Sequence, residues 1–116
     1  MPHNHLEFCV CESPTALHTC FDETYVGRDL TNGHYADVTI KRCRTCGRNW
    51  LRYCVEYQAF SRSNRWARGL ILGDDASHIT PEKAAAYLAG LPEIIRGGSY
   101  YDGVAAWTTG PVNWDL

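Results

Sequence analysis

The sequence predicts an α+β fold in which a small antiparallel sheet carries one helix and is followed by a loop-rich C-terminal tail. Several runs alternate apolar and polar side chains, polar turns separate these runs, and one stretch has the start and stop signals of a helix. The chain has 116 residues, of which 45% are hydrophobic and 21% charged, as in globular proteins. This length suits one small core, so we expect residues 1–116 to form a single domain.

Four strands are predicted in the first two thirds of the chain. Residues 21–26 are a short candidate, and residues 34–42, 50–60 and 66–72 are rich in β-branched and aromatic side chains. The polar residues 61–64 predict a turn, so the last three strands form an antiparallel meander. We expect one face of this sheet to be buried and the other to face water, because apolar and polar side chains alternate in the series Ala36, Asp37, Val38, Thr39, Ile40, Lys41.

The helix is predicted near residues 81–90. Thr80 is a favourable N-cap residue, and Pro81 is tolerated at the first helical position because its missing N–H would have no partner there. Gly90 marks the end of the helix. Its apolar stripe should pack on one face of the sheet. The remaining residues, 93–116, are rich in glycine and tryptophan and predict a loop-rich tail.

The N-terminus gives no sign of a secretion signal, because residues 1–5 lack a basic region followed by an apolar core. No apolar run reaches membrane-spanning length. We therefore expect a cytoplasmic protein without membrane partners. In a reducing compartment, six cysteines are better explained as metal ligands or buried thiols than as disulfides.

The cysteines predict a metal site. Cys43 and Cys46 form a Cys-x-x-Cys-Gly turn between two predicted strands, and Gly47 can adopt the positive φ that such a turn needs. A structural zinc ion takes four ligands from two close-spaced pairs, and Cys9 and Cys11 are the best second pair. Four thiolates leave no open coordination position, so the predicted zinc is structural rather than catalytic.

With this turn and its flanking strands, residues 9–60 resemble the zinc-ribbon fold group, in which two knuckles share one zinc. The resemblance implies a zinc-ribbon-like knuckle in the sheet and a domain that the zinc stabilises. The chain departs from the usual pattern because one residue, not two, separates Cys9 from Cys11. His18, Cys20 and His34 remain alternative ligands. The pair His3 and His5 is better explained as part of a frayed terminus.

A basic segment raises the question of partners. Residues 41–68 carry a charge of about +7 and the rest of the chain about −9. Basic and aromatic side chains interleave in it, which suits nucleic-acid binding; the candidate surface is Arg48, Arg52, Arg62, Arg65, Trp66, Arg68. Alternatively, these cations offset the thiolate charge and pair with the acidic remainder. The net charge of −2 disfavours a binder driven by electrostatics.

Two further classes of function are compatible with the sequence. Tyrosine, tryptophan and arginine are common anchors of protein interfaces, which favours a protein-interaction, accessory or immunity-type module, although the tryptophans could instead fill a small core. A small thiol-dependent enzyme could use Cys54 with His34 or His78, and Gly97-Gly98 could cradle an anion or simply form a turn. The sequence therefore favours a non-enzymatic zinc-binding protein that binds an unidentified protein partner, with nucleic acid as the alternative.

Overall fold

The computed structural model describes residues 9–31, 33–57, 59–109 and 112–114. Its centre is a six-stranded antiparallel sheet whose strands neighbour one another in chain order. One helix, α1 (Pro81–Ala89), follows the fourth strand. The α+β prediction is therefore confirmed. The strands are β1 (Phe21–Asp29), β2 (Ala36–Cys43), β3 (Asn49–Val55), β4 (Arg65–Leu70), β5 (Ile94–Gly97) and β6 (Ala106–Thr108).

The sheet is larger than the predicted meander. β5 and β6 lie in the segment that was expected to be loop, because strands of four and three residues are too short for a visible alternation. β1 runs three residues further than predicted, and β3 ends at Val55 rather than near Phe60. Two details of the predictions, the pair His3 and His5 and the strand position Gln58, lie outside the described residues.

Helix α1 covers one face of the sheet. Its start agrees with the prediction, since Pro81 occupies the first helical position and the Lys83 N–H donates to the Thr80 carbonyl at 3.1 Å. Ala84 and Leu88 are buried against the sheet. The apolar cluster on this face, called the helix-side core below, contains Ala36, Val38, Leu51, Tyr53, Val55, Ala67, Ile71, Ala84, Leu88 and Ile94.

The opposite face of the sheet is not simply exposed to water, which corrects the expectation of a wet face. At one end it is covered by residues 9–16 and by Trp107 of β6, so even Lys41 is only 7% exposed. The alternation in β2 could not show this, because the covering residues come from distant parts of the chain. The second cluster, called the cysteine-side core below, contains Cys9, Cys11, Phe21, Cys43, Trp50 and Ile95.

Among the described residues, no helix is long and apolar enough to cross a membrane.

Candidate metal centre

The turn between β2 and β3 presents two of the four predicted ligands. It is closed by two backbone hydrogen bonds, from the Cys43 N–H to the Arg48 carbonyl at 2.8 Å and from the Gly47 N–H to the Cys43 carbonyl at 2.9 Å. Gly47 has a φ of +78°, which a residue with a side chain rarely adopts. The Thr45 N–H points at the Cys43 sulfur, 3.4 Å away. The turn therefore brings a backbone N–H donor and the thiols of Cys43 and Cys46 toward the same point.

The N-terminal segment brings the other pair to the same point. Cys9 and Cys11 flank the start of a short 3₁₀ helix, Val10–Glu12, and the Cys9 N–H donates to the Glu12 carboxylate at 3.2 Å. The same carboxylate accepts a hydrogen bond from Arg48, just after the knuckle, at 3.0 Å. This ion pair ties the segment to the β2–β3 turn without involving any sulfur.

Two further side chains hold this segment by its carbonyl groups. Arg68 of β4 donates to the carbonyls of Cys11 at 3.1 Å and Ser13 at 2.7 Å. Trp107 donates its indole N–H to the Glu12 carbonyl at 3.0 Å. The position of Cys11 is therefore fixed by the sheet.

The four sulfurs lie close to the geometry of a tetrahedral metal site. The Sγ atoms of Cys9 and Cys43 are 3.6 Å apart and those of Cys11 and Cys46 are 3.7 Å apart, and all four lie within 4.8 Å of one another. Metal–sulfur bonds of about 2.3 Å in a tetrahedron place sulfurs about 3.8 Å apart. Cys9, Cys11 and Cys43 are buried and Cys46 is exposed. The cysteines are arranged to bind a metal ion.

The thiols differ in acidity. Burial raises the pKa of Cys11. Cys46 is exposed as a residue, but desolvation of its own sulfur raises its pKa as well. At Cys43 burial acts in the same direction, but the backbone N–H groups of Cys46 and Thr45 outweigh it and lower the pKa to about 6. Cys43 therefore ionises more readily than Cys11 and Cys46, and binding a divalent ion displaces protons from those two thiols.

Burial disfavours negative charge on the Cys11 sulfur, and two neighbouring groups, Trp50 and Arg68, partly offset this effect. Within the described part of the chain, the buried indole nitrogen of Trp50 has no hydrogen-bond partner, and its N–H partly offsets the burial that raises the pKa of the nearby Cys11 thiol. A donor left in this state is one that a metal-bound thiolate would engage. Arg68 is 2% exposed, and its guanidinium lies over the rings of Phe21, Trp50 and Trp66 at 5.1–5.8 Å. Burial lowers the pKa of Arg68 to about 10, so it stays cationic beside the cluster at neutral pH.

The alternative ligands lie elsewhere. Within the described ranges, the cluster of possible metal ligands contains Cys9, Cys11, Cys43 and Cys46 and none of His18, Cys20 and His34. The Cys20 carbonyl accepts the Arg44 N–H, and the Cys54 sulfur accepts the Asn64 amide at 3.5 Å.

The shorter spacing of Cys9 and Cys11 is compatible with a shared cluster, because a 3₁₀ turn rather than a β-knuckle carries these two residues.

Two members of the predicted basic surface are interior residues. Arg65 and Arg68 are 0% and 2% exposed. Arg65 donates to the carbonyls of Ser63 and Asn113, as Arg68 does to the N-terminal segment. The charge of an arginine predicts a position at the surface. Inside this fold, carbonyl oxygens and aromatic rings compensate the charge of Arg65 and Arg68.

The other members of that surface are engaged with neighbours. Arg48 pairs with Glu12, Arg62 forms an ion pair with Asp102, and the Arg52 guanidinium lies 5.6 Å from the centre of the Trp66 ring. The predicted surface is therefore not a continuous run of unpaired cations, because Arg48 and Arg62 are paired with acids and Arg52 lies beside an aromatic ring.

In the Gly97-Gly98 segment, the backbone at Gly98 lies very close to the backbone of Asn64. Gly98 has a φ of +112°, and a Cβ atom there would lie 2.5 Å from the Asn64 carbonyl oxygen. That same oxygen accepts the Tyr100 N–H at 2.9 Å. The contact favours the turn over an anion-binding loop.

Sequence reasoning missed three residues that support the cluster: Glu12, Trp50 and Trp107. Glu12 carried the clearest signal, because it follows Cys11 directly and lies three residues from Cys9, the spacing at which a side chain reaches back to an N-cap. Trp50 and Trp107 reach the site only through the register of β3 and β6.

No protein-family model, curated protein or solved structure matches this chain.

Proposed function

We propose that this chain is a single zinc-stabilised domain of the zinc-ribbon type, whose zinc is structural and whose activity is binding to another macromolecule rather than catalysis. The observation that carries the proposal is the convergence of two cysteine pairs, 34 and 35 residues apart in the chain, with cross-pair sulfur distances of 3.6 and 3.7 Å.

The donor set favours zinc among the common metals. Four thiolates in a tetrahedral arrangement are the usual ligands of structural zinc, whereas magnesium and calcium prefer oxygen ligands. Iron–sulfur clusters also use four cysteines, but their irons and sulfides need a wider cage than sulfurs within 4.8 Å of one another provide. Four protein ligands fill the coordination of zinc, which leaves no position for a catalytic water.

Elemental mass spectrometry of the untagged chain tests the metal. We expect one zinc per chain in the wild type and its loss in Cys43→Ser, Cys46→Ser and the Cys9→Ser/Cys11→Ser double variant. Cys54→Ser is the matched control, since this thiol lies outside the cluster, and it should retain zinc. A wild-type protein that carries no zinc after expression in zinc-supplemented medium would end the proposal.

Exposed side chains on β1 and in the β1–β2 connection support a protein partner. Tyr25, Leu30 and Tyr35 are 59%, 65% and 60% exposed, and tyrosine is a typical interface anchor. In cross-linking followed by mass spectrometry, a specific partner should be lost from Tyr25→Ser/Tyr35→Ser. It should be retained by Phe60→Ser, which changes an equally exposed aromatic residue elsewhere (57%). Loss with both variants, or with neither, would contradict this surface.

Nucleic acid remains the alternative partner through Arg52, Arg62 and Trp66. Half-buried Trp66 with Arg52 nearby is the observation that favours it. Fluorescence anisotropy with a labelled single-stranded oligonucleotide separates the two proposals. Binding at low salt that weakens steeply with added salt and is lost in Arg52→Ala/Arg62→Ala would establish nucleic acid, and no binding at low salt would exclude it.

A further inference from the structure

The four cysteines differ in access to solvent. Cys46 is exposed, whereas Cys9 is 8%, Cys11 0% and Cys43 1% exposed. Cys46 also lines an open, polar cleft of about 380 Å³, whose other lining residues are Asp22, Arg42, Cys43, Arg44, Thr45 and Gly47. Cys43 borders the same cleft but is only 1% exposed, so a small polar reagent there meets the exposed Cys46 first.

A sulfur of the N-terminal segment lies beside Cys46. The Cys11 Sγ is 3.7 Å from the Cys46 Sγ, and a disulfide needs the two sulfurs to approach to about 2.0 Å. Cys11 itself is held in place by contacts that involve no sulfur. Arg68 binds its carbonyl, and the neighbouring Glu12 is bound by Arg48 and Trp107.

We propose that Cys46 is an oxidation site for small hydroperoxides and that Cys11 is its resolving partner, so that oxidation replaces the metal link between the N-terminal segment and the knuckle with a Cys11–Cys46 disulfide. The inference rests on the proposed zinc site.

The chemistry balances with a hydroperoxide as the oxidant. The Cys46 thiolate attacks one peroxide oxygen, the O–O bond breaks, and Cys46 becomes a sulfenic acid while hydroxide, or an alkoxide from an organic peroxide, leaves. The Cys11 thiolate then attacks the Cys46 sulfur and displaces the second hydroxide. In total two thiolates lose two electrons to the peroxide. Arg42 beside the cleft favours the anion that leaves in the first step, whereas Arg44 is paired with Asp22 of the same cleft at 2.9 Å.

Loss of two thiolates leaves Cys9 and Cys43, and two ligands do not make a closed zinc site. The ion is therefore released as the disulfide forms. A Cys43–Cys46 disulfide within the knuckle would free the N-terminal segment, whereas a Cys11–Cys46 disulfide keeps it attached. The contacts of Arg68, Trp107 and Arg48 favour the second outcome, because they hold Cys11 beside Cys46 as the metal leaves.

The test is a titration of the reduced, zinc-loaded full chain with hydrogen peroxide. A chromogenic chelator reports zinc release, and peptide mapping under non-reducing conditions identifies the first disulfide. We expect one zinc released per Cys11–Cys46 disulfide, with reversal by dithiothreitol and renewed zinc. Cys46→His keeps a zinc ligand but removes the thiol, so peroxide-driven release should be lost in it. Cys54→Ser should behave as the wild type.

The outcomes separate the two proposals. Zinc in the wild type with a first disulfide other than Cys11–Cys46, or with release but no disulfide, would overturn the oxidation site and leave the zinc domain standing. Should Cys46→His fail to fold, the order of disulfides in the wild type still decides. Absence of zinc from the wild type would overturn the zinc domain, and with it the conversion proposed here.

Discussion

The two faces of the sheet are closed in different ways. The helix-side core joins ten buried side chains, all apolar except for the hydroxyl of Tyr53, and α1 contributes two of them, Ala84 and Leu88. The cysteine-side core has six members, three of which are cysteines, and buried Arg68 and Lys41 adjoin it. The first face is held by more apolar burial than the second, where small thiols and desolvated cations take the place of larger apolar side chains. The cysteine side should therefore depend on hydrogen bonds and a metal.

The largest expected effect comes from removing the metal. With a strong chelator under reducing conditions, hydrogen exchange should rise in residues 9–16, which the cysteine side holds, while amides of β3 such as Leu51 and Tyr53, paired to β2 and β4, keep much of their protection. Apparent binding energies of structural zinc are about 10–16 kcal/mol in small domains, so a large drop in melting temperature is expected. Equal loss of protection on both faces would break the comparison.

Truncation in the helix-side core should act independently of the metal. Leu51 is fully buried, and Leu51→Ala should lower the free energy of unfolding by about 2–5 kcal/mol through lost burial and a cavity. Chemical denaturation of the zinc-loaded and chelated forms measures this. The two losses should agree within about 0.5 kcal/mol if the faces are independent. A loss that appears only with zinc bound would show that the faces are coupled.

Sequence signals located features whose cause is local. Pro81 and Gly90 bracket α1, and Cys43 and Cys46 mark the turn between β2 and β3, because caps and tight turns are specified by residues close in the chain. The short spacing of Cys9 and Cys11 suggested a pair, and the fold brings that pair to the turn.

Features that depend on distant contacts could not be read in this way. β6 forms only because β5 offers a partner edge, and three residues alone carry no strand signal. The local sequence predicts Arg68 at the surface, because its partners, the carbonyls of residues 11 and 13, are more than 50 residues away in the chain. A buried arginine is specified by its partners, which the local sequence does not contain.

Arg68 gives the sharpest test of how the cysteine side is held. Arg68→Met keeps the apolar bulk but leaves one buried and one partly buried carbonyl without their donor, so stability should fall by about 1–3 kcal/mol. Because those carbonyls position Cys11, zinc affinity measured by competition with a chelator should fall by about 10-fold or more. Arg62→Ala is the matched control. Its ion pair is largely exposed, so both quantities should barely change. Unchanged zinc affinity in Arg68→Met would remove its positioning role.

The smallest expected effect sharpens the comparison from the helix side, where a buried carboxylate also occurs. Asp29 is 1% exposed, and its carboxylate accepts the Tyr53 hydroxyl at 2.6 Å and the Thr31 hydroxyl and N–H. Burial alone would raise the pKa of Asp29, but these hydrogen bonds outweigh it and hold the pKa below its ordinary value of 3.8.

A lowered pKa means that the folded state favours the charged carboxylate. Its contribution to stability is therefore complete above the ordinary pKa and is lost as the pH falls through the lowered one. Tyr53→Phe removes one donor and should cost about 1–2 kcal/mol at pH 7, less near pH 3, and the same amount with or without zinc. Urea denaturation at both pH values measures this. A cost in Tyr53→Phe that disappears on chelation, as expected only for residues of the cysteine side, would show that the metal also organises the helix-side core.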